Sequence, residues 1–282
     1  MSTKNISSEE KSESQSPQAT NERDFAKTIR KKTLIAFGIF FLLNAVGVSI
    51  WFWIRNSEME NGQYKPLRAA LNANEKINNA FFRDENLVKE YSKEQATKKV
   101  RSNGYYGGSG SHDTSVWRLR IIHNNTKDPA DSVLILTLND LLQLKKHEEV
   151  FNFKCVEGWS QITWWGGCTF ADFLTRFKLG THSGNAPDKN NPDDLYKYVS
   201  LETPDGKYYV GIDMKSMLHP QTLLCYELNG AALPDKEGHP LRLIIPLKYG
   251  IKNLKWIGTI SFSDERPRDY WFERGYDYDA AL

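Results

Sequence analysis

Three cysteines, Cys155, Cys168 and Cys225, carry the most reactive chemistry in the chain, and the first sits in "NFKCVEGWSQITWWGG" (residues 152–167) among tryptophans and glycines. An odd number leaves at least one thiol outside any disulfide, and none of the three belongs to a CxxC pair or a CxxCH haem-attachment motif. The metal chemistry left open is a site with a single thiolate ligand. The plainer alternative is a thiol buried as a small apolar side chain. The six histidines are scattered with no two at ligand spacing, and the chain has no HExxH, GxSxG, GxxxxGK[ST] or strand-to-helix GxGxxG. "GGSGS" (107–111) shares only its glycines with phosphate-binding loops and reads as a flexible loop, while "HNNT" offers a glycosylation triplet at Asn124. Arg242 stands in the apolar stretch "LRLIIPL" (241–247). Facing inward it requires an anion; facing outward it needs only water.

These residues need a scaffold. A chain of 282 residues that is 40% apolar can build one large core or two small ones. A net charge of +2, with no run of Lys and Arg interleaved with aromatics, argues against a dedicated nucleic-acid binder. Residues 1–29, rich in Ser, Glu, Lys and Gln, read as a disordered tail. Arg30, Lys31 and Lys32 then precede an apolar run, Leu34 to Ile54, broken only by Asn44 and Ser49. At about 1.5 Å per residue such a helix spans a hydrocarbon core of roughly 30 Å. Trp51 and Trp53 lie at its far end, and Arg55 closes it. Residues 30–55 are therefore expected to form a transmembrane anchor, with the tail in the cytoplasm and the rest of the chain across the membrane. The small-x-small triplet Ala45-Val46-Gly47 lies inside the apolar run, which favours an uncleaved anchor over a signal peptide.

A linker (56–65) leads to a domain over 66–282. Its first segment, "PLRAALNANEKINNAFF", has helical spacing that puts Leu67, Ala70, Leu71, Ile77 and Phe81 on one face. Strand patterns follow in "VWRLRIIH", "SVLILTL", "EVFNFKCVEGWS", "LYKYVSLET" and "KYYVGIDM", and capped helices in "TLNDLLQL" (Thr137) and "TFADFLTRF" (Thr169). "HPQTLLCYELNG" fits helix or strand, and "LRLIIPLKYG" and "LKWIGTISFSD" are β-rich. Cys155 thus falls at or just past a strand end, where loops carry function. Without regular βαβ alternation the fold class is α+β with mixed β-sheets, preceded by one transmembrane helix.

"KCVEGWS", "YVSLET", "LHPQTLL", "GHPLRLIIPLKYGIKNLKWI" and "DYWFERGYDY" follow one another in this order. Together they resemble the signature segments of molybdopterin-dependent oxidoreductases of the sulfite-oxidase fold, in the branch of the periplasmic methionine-sulfoxide reductase catalytic subunits. The resemblance covers residues 66–282. It implies a molybdenum-molybdopterin cofactor, with the Cys155 thiolate as metal ligand and catalytic residue. It also implies pterin contacts from Thr203, Arg242, Asn253, Leu254 and Lys255, with Lys252 nearby, and from Asn74 and Glu75 in "NANEKIN". Trp159, Trp164 and Trp165 become packing or pocket-wall residues. The chain departs from the family pattern at Glu237, where relatives carry Asn or His.

The resemblance further implies two-electron oxygen-atom transfer. Val156, Glu157, Gly158 and Trp159 follow the cysteine where sulfite oxidases carry an Arg-rich stretch, so reduction of a neutral oxide, such as a sulfoxide, is favoured over sulfite oxidation. Electrons would come from a membrane haem or quinol-linked donor or a periplasmic cytochrome, since the chain has no haem or iron–sulfur motif of its own. The family's twin-arginine export would use Arg30-Lys31, giving a single-pass inner-membrane protein with its catalytic domain in the periplasm. The alternative from another class is a non-catalytic, membrane-anchored binding domain of the same fold.

Overall fold

The computed structural model describes residues 17–83, 85–104, 113–123, 132–188 and 190–282, so "GGSGS" and Asn124 lie outside the described residues. The chain divides into two compact units, one ending at Ser57 and one running from Glu58 to Leu282.

The first unit is a single helix, α1 (Pro17–Arg55). Its stretch Asp24–Arg55 is long and apolar enough to cross a membrane, and none of it is buried in protein. Asn44, the polar residue in the run, donates its side-chain amide to the Phe40 carbonyl at 2.8 Å and so keeps its polarity inside the helix. Arg55 lies over the Trp51 ring at 5.2 Å. The helix reaches back over residues 17–29, which the composition suggested to be disordered. Glu22, Ala26 and Lys27 are good helix formers, and extending an existing helix avoids the cost of nucleation.

The second unit opens with a hairpin, β1 (Met59–Glu60) and β2 (Gln63–Tyr64), and helix α2 (Lys65–Phe81). Strands β3 (Leu119–Ile122) and β4 (Val133–Leu136) and helix α3 (Leu138–Leu142) follow. Next come β5 (His147–Lys154), β6 (Ser160–Thr169), α4 (Phe170–Phe177), β7 (Tyr198–Glu202), β8 (Tyr209–Asp213) and α5 (Met214–Met217). β9 (Leu223–Leu228), β10 (Ala231–Ala232), β11 (Arg242–Ile244) and β12 (Thr259–Ser263) complete the set. One sheet has the order β10-β9-β6-β5 with β11 also on β9, all antiparallel. The other has the order β4-β3-β12-β7-β8, in which the β3–β12 pair is parallel. This is the expected α+β class with mixed sheets.

The main core joins the sheets: Leu119, Ile121, Val199, Leu201 and Ile260 of one meet Cys168, Leu224 and Leu243 of the other, with Phe170, Phe173 and Leu174 of α4. Thr169 caps α4 by accepting the Asp172 N–H at 3.0 Å, and Thr137 with Asp140 forms a capping box on α3. A smaller core of Val100, Phe151, Trp165, Leu223, Cys225 and Ile244 lies between the first sheet and the strap of residues 85–104. Three outcomes in this unit differ from the sequence reading or decide it. "HPQTLLCYELNG" yields strand β9, and "SQITWWGGCT" is a central strand, β6, which pattern alone did not reveal. α2 does gather its apolar residues on one side, but that side faces out: Ile77 is 54% and Phe81 74% exposed while Arg68 is buried.

Candidate active site

β5 ends at Lys154, and the chain turns through Cys155–Trp159 before β6 begins at Ser160. The turn is closed by Cys155 N–H donating to the Trp159 carbonyl (2.9 Å) and Gly158 N–H donating to the Cys155 carbonyl (3.1 Å). Gly158 sits at φ 86°, a left-handed conformation that glycine adopts without a Cβ penalty. The Cys155 side chain is thereby aimed into a cavity of about 440 Å³.

Among the three thiols only Cys155 lines this cavity, and all three are free. Cys168 and Cys225 are fully buried, and burial pushes each up to about 12, so both stay protonated and unreactive. The plain alternative of a small apolar side chain is what they are. Asn103, at the end of the strap, donates its side-chain amide toward the Cys155 sulfur at 3.8 Å and to Glu157 Oε2 at 2.6 Å. The Trp159 indole N–H donates to the same oxygen at 3.1 Å, and with Asn103 holds the Glu157 carboxyl below the usual range. Arg101 lies over the Trp159 ring at 4.7 Å. A polar rim of Arg101, Asn103, Glu157 and Trp159 thus frames the sulfur.

The same cavity also has a cationic part. Arg242 on β11 is buried over the Trp165 ring (4.4 Å) and donates to the Glu237 carbonyl at 3.0 Å and to Glu237 Oε2 at 3.2 Å. Its Nε and Glu237 Oε1 are buried without a hydrogen-bond partner among the described residues. Lys255 donates to Ser102 Oγ (2.7 Å) and to the carbonyls of Asn103 and Lys236 (each 2.9 Å), and lies 3.8 Å from Glu237. Burial, and next the neighbouring Arg242 charge, push Lys255 down to about 8. Asn253 lines the same cavity and accepts the Ile245 N–H at 2.7 Å.

Of the residues singled out in the sequence, Cys155, Arg242, Asn253 and Lys255 therefore meet at one cavity. The others do not line it. Thr203 is buried in the turn after β7, where its hydroxyl donates to Asp205 at 2.8 Å, and Leu254 is in the main core. Lys252 points away, donating to Asp269 at 2.5 Å and to the Gly211 carbonyl at 2.9 Å. It borders a second cavity, of about 340 Å³, together with Glu75, which is paired with Arg266. Asn74 is exposed on α2. Trp159 and Trp165 are wall residues, whereas Trp164 is not. Sequence reasoning missed Asn103: it lies in a polar stretch taken as a loop by composition, and only the fold brings it across 52 positions to Cys155. The signal available was the Asn-Gly pair 103–104.

A metal with an anionic organic carrier fits this donor set. No group of three or more His, Cys, Asp or Glu residues among the described ones could hold a metal, so an ion bound through Cys155 would bring most of its ligands with it. Arg242 and Lys255 against Glu237 leave one positive charge in excess, and the unpartnered Arg242 Nε is a donor that a phosphate oxygen would satisfy.

A family model described as oxidoreductase molybdopterin binding domain matches residues 107–271. A protein of Azospira oryzae carrying the name protein-methionine-sulfoxide reductase subunit YedZ1 is 30% identical over 216 residues, 75% of this chain and 76% of that one. The protein-methionine-sulfoxide reductase catalytic subunit MsrP of Xanthomonas campestris is 34% identical over 145 residues, 49% of this chain and 44% of that one. The MsrP of Campylobacter jejuni is 29% identical over 165 residues, so this chain spans only about half the length of these two MsrP proteins. The sulfane dehydrogenase SoxCD of Paracoccus pantotrophus aligns with a TM-score of 0.45 at 18% identity, covering 56% of this chain and 41% of that one. Matched over more than half its length, the chain belongs to the family of oxidoreductase molybdopterin-binding domains, whose cofactor is molybdopterin with molybdenum.

Proposed function

We propose that this chain is a membrane-anchored, periplasmic oxidoreductase that reduces a neutral oxide, with a sulfoxide as the favoured substrate class. The observation that carries it is the solitary cavity-facing thiol, Cys155, lining one cavity with Arg242 and Lys255. Molybdopterin with molybdenum would supply oxygen-atom exchange coupled to a two-electron change at the metal. The chain's own residues do the rest. Cys155 presents a soft thiolate to the metal, and the Asn103 amide, donating toward that sulfur, holds it in place. Arg242, Asn253 and Lys255 hold the anionic end of the pterin. At the rim Glu157 is offset by Arg101 at 3.8 Å, and the Trp159 side chain beside them offers an aromatic surface that suits a thioether-like group. Reduction of the oxide to the thioether and water takes two electrons and two protons. The electrons come from a membrane haem or quinol-linked donor or a periplasmic cytochrome, and α1, as the anchor, keeps the domain near it.

The test is elemental molybdenum on wild type and Cys155→Ser, each purified from a host that makes and inserts the cofactor, followed by assay with methionine sulfoxide and with sulfite. Near-stoichiometric molybdenum in the wild type is expected. In the variant, loss of thiolate-to-metal absorption and of sulfoxide reduction is expected. Folded wild type without molybdenum would sink the reading, and turnover of sulfite in preference to sulfoxide would replace the substrate class.

A further inference from the structure

Helix α2 is amphipathic in the wrong sense for a free-standing surface helix. Arg68, Asn72 and Glu75 turn inward, while Lys65, Asn74, Lys76, Asn78 and Asn79 stay exposed. Arg68, 1% exposed, donates to the carbonyls of Asn61 (2.7 Å), Tyr276 (2.8 Å) and Phe272 (3.2 Å), and Glu75 pairs with Arg266. The hairpin before it is seated as firmly. Gly62 lies so close to the 274–275 backbone that an added Cβ would meet Arg274 C at 2.7 Å. The opposite side of α2 carries Leu67 (39% exposed), Ile77 (54%) and Phe81 (74%), with Ala70 and Ala73 between them. At 3.6 residues per turn these fall on one stripe, which the exposed Asn74 shares. Rotating the helix to bury that stripe would strip Arg68 of its three acceptors, so the outward face is fixed by the inward one.

We propose that this stripe rests on the lipid bilayer, seating in the boundary between headgroups and acyl chains as an interfacial helix. The inference rests on the reading of α1 as a membrane span. Three observations select lipid as the occupant. The connection from Arg55 to Lys65 is nine residues, 56 to 64, which reach at most roughly 35 Å, so α2 cannot leave the neighbourhood of the point where the span emerges. The charges that α2 itself leaves exposed, Lys65 and Lys76, are cationic, the sign that anionic headgroups attract, although Lys65 also pairs with Glu58. The face is small: a 17-residue helix presents roughly 25 Å by 10 Å, about a third of the ~800 Å² per partner that a stable dimer buries. A face that weak suffices where a covalent tether already supplies a high local concentration.

The experiment uses the full-length chain in nanodiscs of phosphatidylcholine and phosphatidylglycerol, with nitroxide labels on Leu42→Cys, Lys76→Cys, Ile77→Cys and Phe81→Cys, one at a time. Collision rates with lipid-soluble oxygen and with a water-soluble nickel chelate are compared, and labelled wild type gives the background from Cys155. Labels at 77 and 81 are expected to shift toward oxygen, as the label at 42 does, while the label at 76 favours nickel. If 42 lies in lipid but 77 and 81 meet nickel freely, the interfacial helix is overturned and the anchor stands. Shielding of 77 and 81 from both reagents also overturns it, because the cover is then protein. A label at 42 that meets nickel freely removes the anchor itself, and this inference with it.

Discussion

Lys255 is the residue whose titration the site exposes most directly. Burial and the neighbouring Arg242 charge hold it near 8, well under the ordinary lysine range. An anion bound there favours the charged form and raises that value, so binding takes up a proton once the pH passes about 8. Cofactor affinity is therefore expected to fall with rising pH above about 8, by up to roughly tenfold per pH unit. The check is release of pterin fluorescence on dialysis of the loaded chain at pH 7 and 9.5. Lys255→Met should hold cofactor more weakly at pH 7 and lose the pH dependence. At this scale the sequence was partly legible. Cys155 stood out because it ends a strand pattern, and Arg242 because a charge in "LRLIIPL" needs an explanation. The buried partner that Arg242 found, Glu237, is five positions away and belongs to the chain itself. Glu75 and Lys252 carried no sign in their spacing that they would turn to the second cavity.

Among the elements, β5 carries an acid whose placement is costly. Glu149 is 8% exposed and accepts a bond from Gln221 Nε2 at 3.0 Å; burial, only partly offset by that bond, raises its carboxyl to about 7. A carboxyl raised above its unfolded value favours the fold while protonated, and that contribution is lost as the pH climbs from about 4.5 through 7. At ~1.4 kcal/mol per pH unit the loss approaches about 3 kcal/mol above pH 7. Glu149→Gln keeps an acceptor for Gln221 and is expected to recover about 2–3 kcal/mol at pH 8 and almost nothing at pH 4.5. Urea unfolding midpoints of the detergent-solubilised chain at the two pH values measure it. Gln221 also donates to the Val88 carbonyl and accepts its N–H, so this group pins the strap as well. Element by element, capped helices and alternating strands were readable because Thr137, Thr169 and the period-two runs are local signals. β6 was not. Its Gly166-Gly167 pair reads as a breaker, yet an added Cβ at Gly167 would meet the Leu224 carbonyl at 2.2 Å, so glycine is what lets β6 approach β9. α2 inverted the usual inference from periodicity: the stripe was real, and its direction depended on where Arg68 found its acceptors.

For the whole molecule, the order in which the chain is made matters as much as its final shape. The cavity that holds Cys155 draws its walls from widely separated parts of the chain, from Val100 through Trp165, Tyr208 and Arg242 to Tyr276. The apolar helix, by contrast, is complete at residue 55. At about 5–20 residues per second a ribosome needs on the order of 10 to 45 seconds to go from residue 55 to residue 276. Throughout that interval the chain offers a membrane-seeking segment and no finished pocket. Chains stalled with residues 1–241 outside the ribosome are expected to carry no molybdenum, whereas released chains from the same cells carry it; elemental analysis of the two pools decides. A translocation machinery that takes the helix as it emerges would thread the remainder across before Arg242 and Lys255 exist to receive a cofactor. On the proposed reading of α1 as a membrane anchor with the domain across the membrane, a cell that loads the cofactor before export must keep the emerging segment out of the bilayer until the far end of the protein has been synthesised, which ties the timing of membrane entry to activity.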